Sequence, residues 1–196
     1  MNLICDRLPE SVEIDGEIYF LNTDFKVWMK IEQLLNKRTE SALFKALCLC
    51  FKRLPPDALK ALSAMTDFLM CGKKAKQGSK KTERLYDFDL DSGLILSSFL
   101  SAYNIDLRKT SMHWYVFVNL ISSLPENTVF SKAVFFRGVD LSLIKNKEDK
   151  KYYKKMKSVY RLEEKIDDDM IADSLGGAFN DDRWKYRKNQ TDQIKS

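Results

Sequence analysis

A chain of 196 residues, 44% hydrophobic and 31% charged, has room for one domain with a proper core and is short for two. Its formal charge of +5 permits a nucleic-acid partner without requiring one. No apolar run approaches the roughly 18 residues of a membrane span. The opening MNLICDRLPE lacks the basic start and apolar stretch of a signal peptide, and the four cysteines form no CxxC pair, so a reducing cytoplasm is the expected setting.

The first pattern, SVEIDGEIYFL, predicts a β-hairpin. Val12 and Ile14 alternate with polar residues, Asp15-Gly16 supplies a two-residue turn, and Ile18 and Phe20 continue the alternation. A lone hairpin is marginal in water, so it is expected to pack on something larger. Helical spacing follows. Thr23 or Asp24 caps a helix with Val27, Ile31, Leu34 and Leu35 on one face and Trp28 beside them. The next helix is expected over 40–51, with Leu43, Phe44, Leu47 and Phe51 inward. In PPDALKALSAMTDFLMCG, Pro56 suits a first turn. Ala58, Leu62, Met65 and Leu69 share a face, and Gly72 stands where a C-terminal cap belongs.

Residues 73–84, KKAKQGSKKTER, break the periodicity. They predict an exposed basic loop, either simply solvated or touching phosphate. Next, YDFDLDSGL sets three aspartates at alternate positions. A calcium loop counted from Asp87 needs glycine at its sixth position and a bidentate glutamate at its twelfth; Ser92 and Ser98 stand there instead. The reading is therefore a helix start, with Asp89 or Asp91 accepting bonds from first-turn amides, followed by Ile95, Phe99, Leu100 and Tyr103 at helical spacing. After a connection at 104–107, Ser111 caps a helix in which Trp114, Phe117, Val118 and Ile121 recur. Pro125 separates it from a short helix with Val129, Ala133 and Phe136, stopped near Gly138.

NKEDKKYYKKMKSVYRL is the clearest amphipathic helix. Tyr152, Met156, Val159 and Tyr160 gather on one side, with Lys147, Lys150, Lys151 and Lys154 opposite. Tyr152 and Met156 are expected in the core and Tyr153 at a contact surface. The lysines form a solvated face or a basic patch. From Glu163 the patterning fades into mixed charge blocks around a Gly-Gly pair, with Phe179, Trp184 and Tyr186 as further candidate partner contacts. The sum is a mainly α protein: a multi-helix domain over 1–162 with a small N-terminal β-hairpin, then a charged, partly disordered, irregular tail over 163–196.

Motifs of chemistry are sparse. His113 is the single histidine and sits at a helix start, a structural place more than a catalytic one. Neither GxSxG, a P-loop nor GxGxxG occurs. Asp167, Asp168, Asp169 and Asp173 carry a magnesium-binding alternative to a solvated helix start. A non-enzymatic protein is expected, with no catalytic residue, cofactor or metal. Nucleic-acid binding stays open through the basic loop and Lys147, Lys150, Lys151 and Lys154, although no RNP motif, zinc finger or clear helix-turn-helix is present.

Three stretches in fixed order carry a resemblance: LPESVEIDGEIYFLNTDFKVWMKIEQLL, YDFDLDSGLILSSFLSAYNIDLRKTSMHWYVFVNLISSLPENTVF and KKYYKKMKSVYRL. Together, over about residues 8–162, they resemble the bacteriophage gene-product-fifteen family of tail-gene regions in tailed phages and prophages of Gram-positive bacteria. The resemblance implies no catalytic or cofactor residue. It implies a part in tail building, as an assembly chaperone in the host bacterial cytoplasm touching the tape-measure or tail-tube subunit. Alternatives are a minor component retained in the virion tail and a DNA-binding protein. A homo-oligomer is compatible with any of these.

Overall fold

The computed structural model describes residues 2–73 and 84–162. Among them are one antiparallel hairpin and seven helices, as the pattern of apolar residues predicts. The hairpin pairs β1 (Ser11–Ile14) with β2 (Glu17–Phe20). Asp15 and Gly16 both take positive φ, 55° and 80°, the turn that matches strand twist. That turn fixes Val12 opposite Tyr19 and Glu13 opposite Ile18. Residues opposite each other share a face, so Tyr19 joins Val12 and Ile14 on the core side. Ile18 and Phe20, the apolar positions of the alternation in β2, are 62% and 56% exposed.

Helix α1 (Phe25–Asn36) is capped by Asp24, whose Oδ1 accepts from the Lys26 N–H. It buries Phe25, Trp28 and Ile31, leaving Val27, Leu34 and Leu35 half-buried. α2 (Glu40–Cys50), capped by Thr39, packs on α1. It turns Ala42, Ala46, Leu47 and Cys50 inward. Phe44 is 61% exposed, against expectation, because the buried face of α2 is the one carrying Ala42, Ala46, Leu47 and Cys50. α3 (Ala58–Leu69) starts at the Asp57 cap and buries Ala61, Met65 and Phe68; Ala58 faces water. Its end is a Schellman arrangement: Gly72 N–H bonds Asp67 C=O and Cys71 N–H bonds Phe68 C=O. The left-handed position next to the cap is thus Cys71 (φ 54°), one residue before the expected Gly72.

α4 (Ser92–Tyr103) buries Ile95, Ser98 and Phe99 and leaves Leu100 exposed. Neither Asp89 nor Asp91 caps its first turn. Asp91 stands at the N-cap without a side-chain capping bond, because its carboxylate is taken by Arg137. Asp87 organises the preceding turn instead, its Oδ1 accepting from the N–H groups of Asp89 and Leu90. α5 (Trp114–Ser122) is capped by His113, not by Ser111. The His113 Nδ1 accepts from Tyr115 N–H, and Ser111 Oγ donates to Asp24. The His113 Nε2 lies 3.0 Å from the Pro9 carbonyl, to which it donates, so the ring ties the start of α5 to the segment before β1.

Stacked rings build the core. Phe117 lies 4.8 Å from Phe25 and 5.5 Å from Phe99, joining α1, α5 and α4. Trp28 stacks on Phe68 at 4.6 Å, joining α1 to α3. α6 (Val129–Gly138), capped by Thr128, packs on α4, where buried Ser98 accepts the Phe130 N–H. α7 (Lys147–Val159) packs on α6 and buries no residue. Its inward side chains are Tyr153, Met156 and Tyr160, half-buried. Tyr152 is 52% and Val159 65% exposed, reversing the expected order of the two adjacent tyrosines. The contact geometry of α6 is the reason. Phe135 and Phe136 meet Tyr153 at 6.4 and 6.1 Å and Phe136 stacks on Tyr160 at 5.5 Å, which turns the helix by about one residue.

Candidate functional site

The end of α3 and one side each of α5 and α6 leave an apolar cleft of about 690 Å³, within the range of sites that take up ligands. Val118, Ile121, Phe130 and Val134 line it. The aromatic core supplies its floor through Phe88 and Trp114, 6.2 Å apart. Trp114 is held by its Nε1–H donating to the Leu69 carbonyl at 3.0 Å. Met70, Tyr86 and Phe135 add partly exposed apolar surface, 44%, 39% and 56% respectively.

Polar groups are few. Glu32 borders the cleft with its Oε2 enclosed and without a hydrogen bond. Arg84 Nη2 stands 3.8 Å away, a charge contact too long for a bond, while Arg84 Nη1 pairs with Asp87 at 2.9 Å. Burial pushes the Cys71 thiol up to about 11 against the opposing charge of Lys73, so the sulfur in the wall is a protonated apolar group at neutral pH. Burial, with the Glu32 charge, also raises the Tyr86 hydroxyl. The cleft is therefore fitted to receiving apolar side chains.

Behind it a buried ion pair fixes α6. Arg137 grips Asp91 at both oxygens, 2.7 and 2.8 Å, and donates to the carbonyls of Leu85 and Tyr160. One guanidinium thereby joins the start of α4, the strand of chain before it and the end of α7. Its four bonds satisfy the charge that burial would otherwise penalise.

Among the residues expected to touch a partner, Tyr153 lies half-buried against α6, outside the cleft. Phe179, Trp184, Tyr186 and the aspartates 167–169 and 173 lie outside the described residues. Lys147, Lys150, Lys151 and Lys154 are all exposed on α7. Of the basic stretch only Lys73 and Arg84 are described. No described helix is long and apolar enough to cross a membrane, and no three His, Cys, Asp or Glu side chains converge for a metal ion among the described residues. The cleft residues went unremarked in the sequence as a site. One local signal was available: adjacent Phe135 and Phe136 cannot both face the core from one helix.

No curated protein and no solved structure matches the chain. A family model described as Bacteriophage Gp15 protein matches residues 4–162, the hairpin and all seven described helices included, and the chain belongs to that family.

Proposed function

We propose that this Gp15 protein is a non-enzymatic tail-assembly chaperone working in the host cytoplasm by contact with the tape-measure or tail-tube subunit. The observation that carries the reading is the apolar cleft bordered by Met70, Tyr86 and Phe135, partly exposed to water. Apolar surface concentrated in a groove is costly to leave wet and marks interaction sites. Long helical subunits present apolar stripes before assembly. A groove of this size takes several side chains from one such stripe, with anchors about a turn apart. The test is capture from cells co-expressing the tail proteins. The tape-measure or tube subunit is expected with the wild-type chain and lost with Ile121→Glu, a half-buried cleft position. Purified particles lacking the protein fit a chaperone; its retention in particles makes it a tail component.

The exposed lysine face of α7 favours a second reading, DNA binding. Retardation of DNA that weakens steeply with salt, and is lost on replacing Lys147, Lys150, Lys151 and Lys154, identifies it.

A further inference from the structure

We propose that α7 is a detachable strap on α6, and that its release enlarges the apolar surface of the cleft. The regulatory part rests on reading the cleft as the partner site. Thirteen residues form α7, and none is buried. Its attachments among the described residues include ring contacts of Tyr152, Tyr153 and Tyr160 with Phe135 and Phe136, the half-buried Met156, a bond from Arg137 Nε to the Tyr160 carbonyl, and Lys157, whose Nζ lies 3.5 Å from the Val139 carbonyl and whose charge, with that of Lys150, acts on Asp140. Arg137 keeps Asp91 and the Leu85 carbonyl when α7 leaves, so release opens one of its bonds and spares the buried ion pair. Helix formation itself draws on local terms: the Asn146 cap, Glu148 and Asp149 in the first turn and Lys157 in the last. A helix of this length is marginal in water by itself, so docking and helicity are lost together.

Phe135 links the strap to the cleft. It forms part of the cleft wall and meets Tyr153 of α7. When α7 leaves, the side of Phe135 that faces Tyr153, together with Phe136, joins the cleft wall as one apolar surface.

Hydrogen exchange on the full-length chain tests the strap. Amides in the middle of α7, 151–155, are expected to exchange on the order of 100-fold faster than those of α4 and α5. Tyr160→Ala should speed α7 further and leave α4 and α5 unchanged. Equal protection of all three helices, or equal acceleration by the substitution, overturns the strap. Regulation is read from capture of co-expressed tape-measure or tube subunit. Several-fold more with Tyr160→Ala than with wild type supports it, and equal or smaller recovery overturns it. If neither protein captures a tail subunit, the chaperone reading and the regulatory claim fail together, while the exchange pattern still decides the strap.

Discussion

Helices α5 and α7 are built on opposite principles. α5 has nine residues and buries Trp114, Tyr115 and Phe117; α7 has thirteen and buries none. Each fully buried aromatic withdraws roughly 150–250 Å² from water, at about 25 cal/mol per Å². α5 is thus held by the tertiary core. α7 draws its helicity from its caps and charge order, and its docking from ring contacts, the Arg137 bond to the Tyr160 carbonyl and Lys157. A helix can be the most regular in sequence and the least attached in structure, because amphipathic patterning reports which face is greasy and says nothing of how deeply it is docked.

Substitutions sharpen this contrast. Phe117→Ala empties the junction of three helices and is expected to cost about 3–5 kcal/mol in denaturant unfolding, whereas Tyr152→Ala on α7 should stay within about 0.5. Similar losses at both positions would break the comparison. Asp91→Ala leaves Arg137 buried without its countercharge, with only the Leu85 and Tyr160 carbonyls as acceptors, and should cost about 3 kcal/mol. Asp91→Leu combined with Arg137→Met should recover part of it: desolvation of both charges is removed, while the Asp87 N–H and the Leu85 and Tyr160 carbonyls lose their partners. His113→Ala removes the α5 cap for about 1 kcal/mol, and His113→Asn, able to accept the same N–H, should lose less. The smallest effect is local. Arg108 beside Asp106 holds that carboxyl down to about 2 from 3.8. The pair's contribution is present above about pH 4 and is lost as pH falls through about 2; NMR titration of Arg108→Ala should show the carboxyl moving up toward 3.8 without reaching it, since the residue-108 backbone N–H and Lys109 still favour the charged form.

Much of the fold was legible because its signals are local. The Asp15-Gly16 turn, the Asp24 position before an apolar run, and the 3.6-residue spacing all act within a few residues, whereas the Asp57 and Thr128 caps went unread. Facing was less legible. Phe44 and Phe20 look like core by type, yet alanines and Tyr19 occupy the inner positions. The Asp91–Arg137 pair spans 46 residues and leaves no local trace, so Asp91 read as a cap. The cleft was illegible for the same reason: Met70, Tyr86, Val118 and Phe135 converge from separate elements. Only the tertiary arrangement shows that no described side chain fills the space between them.

Photo-crosslinking tests the central claim most directly, by setting the cleft against the lysine face. A crosslinking residue is placed at position 135 in one protein and at 151 in another, each co-expressed with the tail-gene products. The account predicts that the tape-measure or tail-tube subunit is trapped from position 135 and not from 151. Trapping from 151 alone, or of nucleic acid in place of a tail subunit, would contradict it.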